Sequence, residues 1–326
     1  MSRRTNSMLS YLTALGLLTI AIFAVISALN TRFLSFDNLN SMGFQFPEFG
    51  LLALAILPTM ISGGIDLSVV SIANLAAILA ALLMKNGDLG WAAIPTALAL
   101  GVVCGVFNGV LIGCFRLPPI LATLGTMQLF GGIGIVVTRG PAITGLPDWY
   151  TVLGNLSIGS WIPLPFLIFA GLAGLLGTVL RYSRLGFETR LFGANAVAAR
   201  FAGISERKVL IHVYGVSGFI AALAGLVVLA RVNSANADYG GSYLLLVVLI
   251  NILAGVSPSG GFGTVTGIVL AVLSLQFISS GLNFLSFSAF AHDLFFGGIL
   301  VLVMAARALA GQFDFRKFLQ PRTARP

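Results

Sequence analysis

Two carboxylates stand inside oily stretches of a 326-residue chain that holds only ten acidic residues. Asp66 interrupts the apolar sequence PTMISGGIDLSVVS just after the glycine pair Gly63–Gly64, and Glu48 lies within the run before it. A carboxylate in such a setting has few uses. It can titrate and carry an ion, contact a ligand, act as a gate, or cap a helix. As a cap it accepts from free backbone N–H groups and is favoured by the helix dipole. Gly63 and Gly64 let the backbone turn, which places Asp66 in the first turn of the next helix. Other chemistry is sparse. His212 and His292 have no ligand spacing around them, so no metal site is expected. Cys104 and Cys114 lie ten residues apart in one oily segment and read as packing residues. No nucleophile–base–acid set occurs, so no catalytic residues and no enzymatic activity are expected. The phosphate-cradling pattern GxxxxGK[ST] is missing, and the only lysines are Lys85, Lys208 and Lys317. The chain is therefore not expected to bind or split ATP by itself, and no cofactor is expected.

The elements that hold these groups must be membrane helices. Hydrophobic residues make up 58% and charged residues 9% of the chain, where a soluble domain needs about 25% charged. Mean hydropathy is +1.01. A spanning helix needs roughly 20 mostly apolar residues. Ten candidates follow, near 10–29, 43–61, 67–84, 89–113, 119–138, 161–180, 209–230, 242–257, 262–280 and 293–310. With the N-terminus in the cytoplasm, fourteen basic residues fall inside and four outside (Arg32, Lys85, Arg139 and Arg231). That is the positive-inside pattern. The expectation is an all-α polytopic membrane protein of about ten transmembrane helices, both termini cytoplasmic, forming one domain over 1–326. The net charge of +8 is explained by topology, so lipid is the expected surroundings and nucleic acid is not an expected partner. The outside loop 139–160 carries Trp149 and Tyr150, which read with Trp161 as interface anchors.

The inside loop 181–208 is too regular for a linker. Asn195 is a good N-cap, AVAARFA a strong helix former, and Gly203 sits where a C′ glycine belongs. A two-turn helix over 196–202 is predicted, with Phe192, Val197 and Phe201 giving an apolar side and Arg190 and Arg200 a polar one. Such a helix either rests on lipid headgroups or docks a cytoplasmic partner.

Here a resemblance becomes specific. GANAVAARFAGI, Gly193 to Ile204, resembles the GGNxxAAxxxGI segment of permease subunits of bacterial ABC sugar importers, the family of the ribose, galactose and autoinducer-2 permeases. SGGIDLS resembles that family's GGIDLSVGS. PPILATLGTM, from Pro118, resembles its PxFIxTLGTM. GVSPSGGFGTVTG, from Gly255, resembles its GGTxxxGGxGTxxG. The four stretches occur in the family's order. The resemblance implies a channel subunit of the bacterial cytoplasmic membrane. Its partners would be cytoplasmic ATPase subunits, a periplasmic or extracellular solute-binding protein, and a second permease, identical or related. It implies that Gly193, Asn195, Ala198, Ala199, Gly203 and Ile204 form the ATPase-coupling helix, with Arg200 on its polar side. Val70 and Ala194 stand where the family carries glycine. SYLLLVV, Ser242 to Val248, replaces an acidic pair found in many sugar permeases, which brings autoinducer-2 beside pentoses and hexoses as an expected solute. A hydroxyl-rich solute needs hydrogen-bond partners more than charges. The candidates for the translocation path or gate are Asp66, Ser68, Asn74, Asn108, Thr123, Thr126 and Asn251, with Ser71 and Gln128 beside them; each could instead bond helix to helix. An ion-driven secondary transporter is the alternative class, and it would need Asp66 or Glu48 to titrate.

Overall fold

The computed structural model describes residues 2–85, 90–159 and 161–312, and these residues form thirteen helices with two ladders of two-residue strands. In chain order the helices are α1 (Ser2–Leu29), α2 (Phe36–Ile61), α3 (Val69–Lys85), α4 (Ala93–Gly113), α5 (Pro119–Thr138), α6 (Asp148–Asn155), α7 (Leu164–Tyr182), α8 (Arg184–Ala194), α9 (Ala196–Phe201), α10 (Glu206–Val232), α11 (Tyr243–Leu253), α12 (Val265–Phe284) and α13 (Ala289–Gln312). Each of the ten candidate segments falls on one of them. Seven of these helices, those around Leu9–Leu29, Phe36–Ile61, Gly90–Gly113, Pro119–Thr138, Leu164–Tyr182, Glu206–Val232 and Val265–Phe284, are long and apolar enough to cross a bilayer. Val69–Lys85, Tyr243–Leu253 and Phe290–Ala305 are apolar but shorter. The first two are short for a local reason. The Gly63–Ser68 turn delays the start of α3, and the left-handed Gly255 (φ +83°) stops α11. The basic residues Arg316, Lys317, Arg322 and Arg325, and the C-terminus, lie outside the described residues.

α2 is the axis of the bundle. Ser35 caps it by accepting from the Asn38 N–H at 3.3 Å, and Asp37 favours its first turn. From Phe46 to Ile61 every residue is buried. α3, α7, α10, α11 and α12 pack around it. Since lipid is as apolar as leucine, helix association in a bilayer rests on close packing. α4 and α10 approach very closely. A Cβ placed at Gly105 would stand 2.1 Å from Tyr214 O, and one at Gly218 2.1 Å from Gly101 O, so only glycine lets these two backbones touch.

The connections hold more structure than loops. The 139–160 connection contains α6, and Tyr150 is not an interface anchor: its ring is buried and its hydroxyl donates to Leu226 O on α10 at 2.7 Å. Trp149 and Trp161 are exposed. The 181–208 connection is almost entirely α8 and α9.

Candidate functional site

α9 is built by its caps. Asn195 Oδ1 accepts from the Ala198 N–H at 3.0 Å. At the other end the Gly203 N–H donates to Arg200 O and the Ile204 N–H to Ala199 O, each at 3.0 Å, with Gly203 left-handed at φ +78°. This pair of bonds is a Schellman closure. The helix runs Ala196–Phe201, one residue shorter than the expected 196–202. Ala199 is fully buried, so the helix rests on the protein through its small residues. Its large apolar side points away: Phe201 is 91% exposed and Val197 61%. Arg200 pairs with Glu206 at 2.9 Å, which ties α9 to the first residue of α10. Arg190 donates to Leu180 O at 3.4 Å near the C-terminal end of α7, where a cation suits the helix dipole; burial lowers its pKa from the usual arginine value.

α8 fixes where α9 stands. Ser183 caps it by accepting from the Gly186 N–H at 3.2 Å. Gly193, near its end, presses on the end of α2: a Cβ there would meet Ile61 O at 1.9 Å and Gly261 N at 2.6 Å. Gly261 donates to that same Ile61 carbonyl at 2.8 Å. Gly260 and Gly261 are both left-handed (φ +88° and +77°), which turns the 257–263 loop back onto Gly63 and Ala194.

The α2–α3 break sits directly behind this contact. Asp66 is fully buried and lies three residues before α3, not in its first turn. It is a cap of the turn that leads in. Its Oδ1 accepts from the Ser68 N–H at 3.0 Å and the Ser68 hydroxyl at 2.6 Å, and its Oδ2 accepts from the Ser217 hydroxyl at 3.1 Å. Asn108 Nδ2 donates to Ser68 Oγ at 2.8 Å, and Thr123 Oγ1 to Ile65 O at 3.1 Å. Pro119 packs on Gly64, where a Cβ would stand 2.9 Å from Pro119 Cβ. Asn108 Oδ1 and the Tyr214 hydroxyl are buried with no hydrogen-bond partner. Four stretches far apart in sequence, around residues 62–68, 118–127, 193–204 and 255–267, therefore meet at one end of the bundle.

Asp66→Asn should keep a folded chain, because its amide oxygen can still accept from Ser68. Asp66→Leu should cost about 1–3 kcal/mol for each buried donor left unpaired and deplete folded protein in the membrane. Size-exclusion recovery of the two variants checks this; a well-folded Asn variant with no transport would give the charge itself the essential role.

Of the remaining expected path residues, Asn74, Thr126 and Asn251 are buried, while Ser71 is half-buried and Gln128 exposed, both beside Asn74 around one open pocket. Asn74 on α3 donates to Ala237 O and Tyr239 O at 2.8 and 2.9 Å, holding the α10–α11 connection. Asn251 on α11 donates to Ala53 O on α2 at 3.0 Å. Thr126 donates to Thr123 O within α5 at 3.2 Å. Among the described residues, no group of three or more His, Cys, Asp or Glu could hold a metal ion.

Sequence reasoning missed a second polar centre. Glu48 on α2, 1% exposed, is paired with Arg231 at the far end of α10 and accepts from the Tyr243 hydroxyl at 3.2 Å. Arg231 stands 25 residues after Glu206 along α10, roughly 37 Å at 1.5 Å per residue, so this centre lies at the opposite end of the bundle from α9. The available signal was a basic residue closing an apolar span in a chain with one other carboxylate at comparable depth.

The family described as "Branched-chain amino acid transport system / permease component" matches residues 38–304. The autoinducer 2 import system permease protein LsrD of Klebsiella pneumoniae is 33% identical over 309 residues, 93% of this chain and 92% of that protein. The ribose import permease protein RbsC of Haemophilus influenzae is 31% identical over 287 residues, 87% of this chain and 88% of that one, and RbsC of Escherichia coli K12 is 31% identical over 87% of this chain and 89% of its own length. No solved structure matches. With its apolar helices, the chain is a multi-pass permease of the bacterial inner membrane. Matched over residues 38–304, it belongs to the family of branched-chain amino acid transport system permease components.

Proposed function

We propose that the chain is the transmembrane channel subunit of an ATP-driven importer that carries a sugar or sugar-like solute, autoinducer 2 or a pentose or hexose, into the cell. A separate ATPase pair supplies the energy and a solute-binding protein delivers the cargo. A second permease, identical or related, completes the channel, and the path runs between the two. The chain crosses the membrane ten times as one domain, with both ends in the cytoplasm.

The observation that carries this reading is α9. A capped helix of six residues is too short to be stable alone, yet it presents Phe201 and Val197 outward while its base is locked to the α2–α3 break through Gly193. That is the form of a part another protein grips. Gly193, Asn195, Ala198, Ala199, Arg200, Gly203 and Ile204 are its coupling residues. Closure of the ATPase pair moves α9, and the Gly193–Ile61 contact passes the motion to the break. We assign Asp66, Ser68, Asn108 and Thr123 to a gate there, and Asn74, Thr126 and Asn251 to holding the neighbouring helices. α2 runs from this gate to Glu48, 13 residues or roughly 20 Å away, so one buried helix links the two ends.

Phe201→Asp tests the docking. Because Phe201 packs on little of its own chain, the variant should insert and fold normally. Burying a phenylalanine in a partner contributes about 1.5–3 kcal/mol, so co-purification of the ATPase should fall at least about tenfold. ATPase recovery equal to wild type would remove α9 as the docking element.

A further inference from the structure

Between α2, α11, α12 and α13, at the end of the bundle remote from α9, lies a cavity of about 510 Å³. Pockets for small organic ligands span about 300–1,000 Å³. Its wall is mixed, with several polar side chains set among apolar ones. Gln45, Glu48, Arg231, Tyr243, Gln276 and His292 line it, and Asp293 stands at its exposed rim. Its only buried charge is already answered, because the Glu48 carboxylate is held by Arg231 and the Tyr243 hydroxyl. What remains for a ligand is uncharged hydrogen-bonding capacity. The Gln276 amide donates to Gln45 Oε1 at 3.4 Å, which leaves the Gln45 amide donors and the Gln276 acceptor unused. His292 Nε2 is buried without a partner, a state that costs about 1–3 kcal/mol and is relieved by any hydroxyl that reaches it. Phe49, Phe296 and Leu275 supply bare wall for the C–H face of a ring.

We propose that this cavity binds a neutral, polyhydroxylated molecule of monosaccharide size. An anion would meet Glu48 and Asp293, while a cation would find the buried carboxylate already occupied. A polyol satisfies the amides and the imidazole without bringing charge into the bilayer, where charge is costly. The choice of this class rests on the importer reading as well as on the chemistry of the wall. The site deepens that reading by placing a solute contact at the end of α2 away from the ATPase, on residues other than the break cluster.

The experiment uses the full chain in lipid nanodiscs, without ATPase or binding protein. Cys104 and Cys114, the two free cysteines, are replaced by alanine, and Ser279→Cys, on the α12 wall of the cavity, is labelled with a membrane-impermeant maleimide. Labelling should proceed, and ribose or autoinducer 2 should slow it. At twice its Kd a ligand leaves about a third of the sites free, so the rate falls about threefold. Glycine betaine at equal osmolality should have no effect. Adding Gln276→Leu should abolish the protection and leave labelling intact. No labelling, labelling indifferent to both solutes, equal slowing by betaine, or protection that survives Gln276→Leu would each overturn the proposal. Since neither ATP nor a partner enters this measurement, it is independent of whether the chain works as an importer, which uptake alone decides.

Discussion

Gly193→Ala is expected to fold poorly where α8 meets the end of α2 and to lose most uptake, and Gly193→Val to lose all of it. The reason is a contact that leaves no room for a side chain. The first carbon added at Gly193 would lie 1.9 Å from Ile61 O and 2.6 Å from Gly261 N, both backbone atoms. Neither can swing aside as a side chain would. α8 must move away, and the Gly261 N–H to Ile61 O bond, 2.8 Å long, opens with it. Overpacking of this kind costs about 1–3 kcal/mol. Here the displaced element carries α9, the proposed coupling helix, so uptake should drop more than folded yield does. The matched control is Gly171→Ala on α7, where an added Cβ meets nothing within 4 Å; it should behave as wild type. Uptake in cells, compared with purified yield, checks both. A Gly193→Ala variant that transports normally would show that α8 and the α2–α3 break are not mechanically joined.

Arg231→Met is expected to destabilise the chain by about 3 kcal/mol, the low end of the range for breaking a buried ion pair, because the Arg231 side chain is 27% exposed. It leaves the buried Glu48 carboxyl with Tyr243 as its one remaining partner. The folded-to-unfolded ratio should fall about a hundredfold. Glu48→Gln combined with Arg231→Met should recover most of that loss, since a neutral amide can still accept from Tyr243. Thermal melting of the purified variants in nanodiscs reads this out. Equal melting of wild type and Arg231→Met would mean the pair is not holding α2 to α10.

The parts of the molecule that were legible in the sequence are those fixed by local bonds. Asn195 and Gly203 announce the two ends of α9 because a cap is a bond between residues three to five apart. The apolar runs announce the helices because each helix closes its own hydrogen bonds in lipid. What could not be read depends on which faces meet. Phe201 and Val197 read as the apolar side of a helix, but only packing shows that this side points outward while Ala199 faces in. Glu48 and Arg231 are 183 residues apart, and no local rule joins them. Asp66 was recognised as a cap, yet its second oxygen is taken by Ser217, 151 residues away. Asn74 and Asn251 show the same limit. A buried amide must find partners, but the sequence does not say that they are the carbonyls of Ala237, Tyr239 and Ala53. The four stretches that carry the resemblance lie in order along the chain, and only the fold brings them to one place.

Uptake into proteoliposomes bears most directly on the claim that this permease is driven by ATP from outside its own chain. The chain is reconstituted with its ATPase and solute-binding protein, and entry of autoinducer 2 and of ribose is followed. One set of vesicles holds ATP and no ion gradient; the other holds a proton or sodium gradient and no ATP. The account predicts entry of at least one of the two solutes in the first set, dependent on the binding protein and lost with Phe201→Asp, and none in the second. Entry driven by the ion gradient without ATP would contradict it and would make Asp66 or Glu48 the carboxylate that titrates.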